Sequence, residues 1–331
     1  MSPVTAATIT AATTTTTTST QPAEHDSHGC RIALVGAGTI GLSFAALHLS
    51  ANPSATVTIH DTRPDLEEYV QKNLPGYLAA TGSDVPAALS RLRLATSLRD
   101  AVQGADYVQE QGPENLAFKQ SIWRAIEEHA EPDALFWSST SGIPASAQSA
   151  QMRDRSRLLV VHPYNPPHIM PLLEVVPSSA TAQAAVDRTL DYWRRLGRTP
   201  VVLKKECTGF VANRLAFALW REAIHLVEQG VVSVEECDAI VQSSMGPRWA
   251  VAGPFKSYHA GGGQGGLEAF LKNIGGTVQA CWDATGEPDV GGGWEEDVCR
   301  QTREAYGVVD TVERDRIAKK VLEAVESGKG G

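Results

Sequence analysis

The stretch that most constrains this chain lies at residues 32–50, where the apolar run IALV passes without a break into GAGTIG and then into LSFAALHLS. A short strand, a glycine turn and an apolar helix in that order leave few folds open. Gly36 permits the tight turn, Gly38 lets a bound pyrophosphate come close to the backbone, and Gly41 lets helix and strand pack tightly. Thr39 and Ile40 fill the two positions between, where the first helical N–H groups face the anion. The glycine pattern by itself is weak evidence, but a second strand, TVTIH at 56–60, ends in Asp61, 20 residues after Gly41. A carboxylate there accepts hydrogen bonds from an adenosine ribose and repels a 2′-phosphate, so the expected cofactor is NAD. Arg63, two residues on, is a cation that could hold such a phosphate, and NADP is the alternative.

The alternation continues. Residues 65–80 read as a helix interrupted at Pro75-Gly76, and 91–95 and 105–109 read as short strands. Leu116, Ile122, Ile126 and Ala130 mark one apolar face of a helix that ends near Pro132. Residues 135–137 form a further strand and run into Ser138-Ser139-Thr140-Ser141-Gly142. In open parallel sheets, ligands bind beyond the carboxyl ends of the strands. The glycine loop, Asp61, the loop 110–114, the serine cluster and His162 are all strand-end features of that one edge.

The stretch 158–176, LLVVHPYNPPHIMPLLEVV, carries the chemistry. An apolar strand delivers His162 into a loop stiffened by Pro163, Pro166 and Pro167, which fix φ and supply no N–H. The chain resumes as a second apolar strand in which Glu174 is the one ionisable group, costly to bury unless paired. A histidine at a strand end is ordinary. An imidazole held by a carboxylate is a good general base near neutral pH, because the partner fixes which nitrogen carries the proton.

Beyond 204–209 the pattern becomes helical. The longest helical run is 210–229, stopped by Gly230, with Asn213 and Arg214 in its first turn. Residues 234–243 form another helix, 245–249 a turn, and 311–325 a final amphipathic helix, with glycine-rich stretches between. The fold class is therefore α/β: a Rossmann-type doubly wound sheet followed by an all-helical C-terminal domain. The expected division is a disordered threonine-rich tail over 1–29, an NAD-binding domain over 30–205 and a helical substrate and dimerisation domain over 206–331.

Composition excludes several partners. The formal charge of −9 argues against nucleic acid, which needs a basic face. No apolar run approaches the roughly 18–20 residues that span a bilayer, so no membrane partner is expected. Five scattered cysteines without a CxxC pair suggest free thiols in a reducing compartment, no metal site, and the cytoplasm as location.

GAGTIG with Asp61, PENLAFK at 113–119, SSTSG at 138–142, HPYNPP at 162–167, LLEVVP at 172–177 and GFVANRL at 209–215 together resemble the 3-hydroxyacyl-CoA dehydrogenase superfamily. The resemblance runs from about residue 31 to about residue 325. Within it, HPYNPP, REAIHLVEQGVVS at 221–233 and MGPRWAVAGP at 245–254 look most like the lambda-crystallin and L-gulonate 3-dehydrogenase branch, with carnitine dehydrogenases as the near neighbour. The resemblance implies that His162 takes the proton of the substrate hydroxyl while the same carbon gives hydride to nicotinamide, with Glu174 holding His162. It places Ser141 and Asn213 on the reacting oxygen, and Glu114, Lys119 and Asn165 along the nicotinamide and its ribose. Arg248 is the implied clamp for a substrate carboxylate. The chain departs from the family at Gly142, where a bulkier residue is expected, and at the glycine-rich 260–266.

The expected activity is oxidation of a small 3-hydroxy acid such as L-gulonate to the 3-keto acid, by a homodimer joined through the helical domain. Carnitine or a 3-hydroxyacyl-CoA are the alternative substrates, and a non-catalytic crystallin-like NAD-binding protein is the alternative of another class. Between 61 and 84 Arg63 and Lys72 stand against Asp65, Glu67, Glu68 and Asp84, a poor setting for the phosphates of CoA.

Overall fold

A computed structural model describes residues 29–328, so nearly all of the threonine-rich tail lies outside the described residues. Strands β1 (Arg31–Val35), β2 (Thr56–His60), β3 (Leu92–Leu94), β4 (Tyr107–Glu110), β5 (Leu135–Ser138) and β6 (Leu158–Pro163) run parallel. β7 (Leu172–Pro177) returns antiparallel to β6, and β8 (Thr199–Val202) runs parallel to β7. The sheet order is β3-β2-β1-β4-β5-β6-β7-β8. The direction of build-up reverses between β1 and β4, the switch point at which such sheets bind ligands.

Side chains alternate across the strands, so each strand serves two cores. Ile32, Leu34, Leu159 and Val161 face α1 (Thr39–Ala51), α2 (Leu66–Thr81) and α3 (Val85–Leu89). Ala33, Val35, Leu158 and Val160 face α4 (Leu98–Val102), α5 (Leu116–Glu127) and α6 (Ala145–Gln148). α7 (Gln183–Arg195) closes the first face with Tyr192 and Trp193, both buried. Burying α1 on nearly all sides explains why its sequence is apolar without a polar stripe.

The helical half comprises α8 (Ala212–Glu228), α9 (Val234–Ser243), α10 (Met245–Val251), α11 (Pro254–Gly261), α12 (Gly266–Asp283), α13 (Glu295–Tyr306) and α14 (Thr311–Ser327). Among the described residues, no helix is long and apolar enough to cross a membrane. The five cysteines form no disulfide.

Three local expectations change. α2 continues through Pro75 because Val70, Leu74 and Leu78 anchor it from both sides of the missing N–H. Residues 245–249 are helical rather than a turn, since Pro247 falls in the first turn of α10, where an N–H would have no intrahelical acceptor. α12 runs straight through Gly275-Gly276, each glycine costing about 1 kcal/mol against alanine, offset by the packing of α12 on α11.

Candidate active site

His162 and Glu174 are partners across the antiparallel β6–β7 pair, opposite each other in register. His162 Nδ1 lies 2.8 Å from Glu174 Oε2, and both side chains are buried. The second carboxylate oxygen, Oε1, accepts from the N–H groups of Val211 at 2.8 Å and Ala212 at 3.0 Å, where α8 begins. Burial alone would raise the Glu174 carboxyl, but the His162 bond and the two backbone donors outweigh it and hold the group below its usual range. An ionised carboxylate only accepts, so Nδ1 carries a proton, and in the neutral imidazole Nε2 then holds the lone pair. Such an arrangement can serve as a general base through the nitrogen that the carboxylate does not hold.

The chain reaches that helix start through Gly209 (φ 71°) and Phe210 (φ 51°), both in the left-handed region. Phe210 is fully buried and its ring lies 5.2 Å from the His162 ring, tilted to it by 49°. Sequence reasoning missed Phe210, whose buried ring packs against the imidazole. A β-carbon on Gly142 would stand 3.8 Å from the Gly209 N, so the serine loop and the entry to α8 are neighbours. That contact is an ordinary one. Gly142 therefore leaves room where a larger side chain would fit.

Glu114 organises the serine loop. Its Oε1 accepts from Thr140 Oγ1, from the Ser141 N–H at 3.2 Å and from the Gly142 N–H at 3.0 Å. Ser141 is thereby presented at the surface of the edge, and Asn213 stands half-buried in the first turn of α8. Lys119 is 1% exposed, with Nζ held by Glu110 at 3.0 and 2.8 Å. In this structure Lys119 is engaged in the wall of the site, a role only visible once β4 and α5 are packed together. Asn165 lies exposed in the loop after β6, and the peptide bond to Pro166 is cis. Arg248 is exposed on α10, and among the described residues no hydrogen bond or ion pair ties it to the His162 edge.

The glycine loop fits a dinucleotide. Gly36 has φ +110° and its missing side chain faces the Gln111 backbone at 3.1 Å. At Gly41 a β-carbon would sit 2.0 Å from Gly36 O, whereas at Gly38 nothing lies within 4 Å, leaving the approach open. α1, led by Thr39 and Ile40, has no side-chain cap and no acid in its first turn, so its N–H groups are available to an anion. Asp61 Oδ2 accepts from the Ala37 N–H at 2.7 Å, which brings the carboxylate beside the loop. Arg63 is bound to Asp65 at 2.8 Å and lies over the Tyr69 ring at 3.4 Å, so its guanidinium already has partners. The residues present suit NAD.

Sheet, glycine loop and carboxylate-held histidine on one edge define a class, the NAD-dependent dehydrogenases that oxidise an alcohol with a histidine base. Comparison with known proteins narrows it. The family model for the 3-hydroxyacyl-CoA dehydrogenase NAD binding domain matches residues 31–207, and that for the C-terminal domain matches 209–284. The chain belongs to the 3-hydroxyacyl-CoA dehydrogenase family.

It is 35% identical over 300 residues to an L-carnitine dehydrogenase of Streptomyces coelicolor, covering 89% of this chain and 94% of that one. A 3-hydroxyacyl-CoA dehydrogenase of Gibberella moniliformis is 34% identical over 279 residues, 81% of this chain and 80% of its own length. Among solved structures, the NAD⁺-dependent 5-formyl-3-hydroxy-2-methylpyridine 4-carboxylic acid 5-dehydrogenase has a TM-score of 0.76 at 32% identity, over 89% of this chain and 98% of that one. The carnitine dehydrogenase name recurs among further relatives, which favours that neighbouring branch over the L-gulonate branch expected from the motifs.

Proposed function

We propose that the protein oxidises the hydroxyl of a small, free 3-hydroxy acid to the 3-keto acid. Carnitine-type acids stand first among the candidates and L-gulonate second. The observation that carries the reading is the 2.8 Å His162–Glu174 pair, with the other Glu174 oxygen held by the helical domain. His162 Nε2 takes the hydroxyl proton, and the imidazolium that results is stabilised by the adjoining carboxylate. Ser141 and Asn213 orient the reacting oxygen from the serine loop and the start of α8. NAD, when bound, supplies the hydride acceptor. Gly36, Gly38, Thr39, Ile40, Gly41 and Asp61 hold its adenosine and pyrophosphate, and Glu114 and Asn165 line its nicotinamide half, with Lys119 buried behind them on Glu110.

A free acid suits this chain better than a CoA ester, because Arg63 is already paired with Asp65 and Lys72 stands among acids. The acyl-CoA reading draws support from the Gibberella relative. The same reading divides the chain into a cofactor domain over 30–205 and a helical domain over 206–331, makes it a homodimer through the latter, and places it in the cytoplasm, in keeping with cysteines that form no disulfide.

The test is a panel of L-carnitine, L-gulonate, 3-hydroxybutyrate and a 3-hydroxyacyl-CoA ester with NAD⁺, followed at the NADH absorbance band. Turnover of the free acids supports the proposal, and turnover of the CoA ester alone overturns it. His162→Ala should reduce kcat by about 10²–10⁴-fold while NADH binding stays within about twofold. Loss of both together would make His162 a structural residue.

A further inference from the structure

Behind the serine loop runs a line of buried polar side chains that the proton transfer does not use. His48 on α1 and Gln109 on β4 are both 0% exposed. Tyr192 Oη lies 2.7 Å from His48 Nδ1, His48 Nε2 lies 3.1 Å from Gln109 Oε1, and Gln109 Nε2 lies 3.2 Å from Ser139 Oγ. Phe44 and Trp193 enclose the imidazole, with ring centroids 6.1 and 5.1 Å away. Burial drives the His48 pKa down to about 4, against a weaker opposing pull from Gln109, so the ring is neutral under working conditions.

A neutral ring gives the line one direction. The Gln109 carbonyl only accepts, so His48 Nε2 carries the proton and Nδ1 accepts from the Tyr192 hydroxyl. The amide end of Gln109 then donates to Ser139 Oγ, which leaves Ser139 with its own proton to give. Ser139 is half-buried at the carboxyl end of β5, between β4 and β6. Asp61, at the end of β2, marks the adenosine side of the switch point. A dinucleotide laid across that point brings its nicotinamide end over β4 and β5.

From this geometry we infer that His48 and Gln109 are positioning residues for the cofactor: the buried Tyr192–His48–Gln109 chain holds the Ser139 hydroxyl as a donor toward the nicotinamide nucleoside of bound NAD. The inference rests on NAD lying across this edge and is independent of which hydroxy acid is oxidised. The four residues are far apart in sequence, and only the packing of α1 and α7 on the same sheet face joins them.

The experiment compares Ser139→Ala, Ser139→Thr, Gln109→Leu and the Ser139→Ala/Gln109→Leu double variant. It reads the Kd for NADH, the Kd for ADP and the apoprotein Tm. Ser139→Ala and Gln109→Leu should each weaken NADH binding about 10-fold, equivalent to about 1.4 kcal/mol, and leave ADP binding unchanged, since ADP lacks the nicotinamide nucleoside. Ser139→Thr keeps the hydroxyl and should restore NADH affinity, and the double variant should be no weaker than the weaker single, as expected of one coupled chain. Gln109→Leu strands the His48 donor and lowers Tm; Ser139→Ala leaves the interior intact and decides the matter if the other does not fold. Unchanged NADH affinity in Ser139→Ala, equal losses for NADH and ADP, or multiplicative losses in the double variant would each overturn the inference. His162→Ala, which reads turnover with NADH binding retained, tests the base separately.

Discussion

At the scale of single residues, the site is decided by what each side chain is already bonded to. Glu174 was legible in the sequence as the lone ionisable group of an apolar strand, and His162 as the nearest partner. Their pairing across two strands, and the Val211 and Ala212 donors behind Glu174, required the fold. Lys119 shows the converse, since a lysine within a helical motif says nothing of the buried Glu110 that holds it. Arg248 tests the substrate side. If it clamps a carboxylate, Arg248→Met raises KM for acidic substrates about 10-fold or more, the loss of a charge-assisted contact, with kcat little changed; an unchanged KM in steady-state assays removes that role.

At the scale of elements, the strand–glycine–helix unit separates structure from binding in two neighbouring positions. Gly41→Ala would place a β-carbon 2.0 Å from Gly36 O, backbone against helix, so something must move. Overpacking of this kind costs about 1–3 kcal/mol, so apoprotein Tm should fall along with NADH affinity. Gly38→Ala meets nothing within 4 Å and adopts an ordinary φ of −68°. It should therefore leave apoprotein Tm unchanged and weaken NADH alone, because the space it fills is the approach of the pyrophosphate; calorimetry and NADH titration of both variants distinguish the two roles. The element order and the strands were readable from period and punctuation. Continuity of α2 through Pro75, and of α12 through Gly275-Gly276, was not, because neighbouring helices supply the stabilisation that local propensity lacks.

At the scale of the whole molecule, two properties belong to no single element. The first is acid stability. His48 is buried and His168 half-buried, with pKa values lowered by desolvation to about 4 from an ordinary 6.5. A lowered folded-state value means the unfolded chain binds protons more readily, so stability is fully present above about pH 6.5 and is lost as pH falls toward 4. His48 alone should cost about 2 kcal/mol between pH 7 and pH 5, and urea unfolding of His48→Leu should show a shallower acid slope than the wild type. The second is assembly. The helical half exposes Phe255 (82%), Val251 (67%), Phe217 (59%) and Trp220 (53%), more apolar surface than a lone domain usually presents. Sedimentation at micromolar concentration should give a dimer, and Phe217→Ser/Trp220→Gln should shift it toward monomer; an unaltered monomer in both would remove the expected homodimer.

The sequence by itself determined the class of fold and the cofactor, and it singled out the histidine and glutamate that the fold brings together. Those rest on short-range regularities: the two-residue period of strands, glycines at fixed offsets, and an acid one strand further on. Tertiary structure decided how the parts engage. The register that sets His162 opposite Glu174, the helix start that donates to that carboxylate, the Phe210 ring beside the imidazole and the buried line from Tyr192 to Ser139 all join residues distant along the chain. Such contacts depend on which faces pack together, and local pattern does not encode that choice.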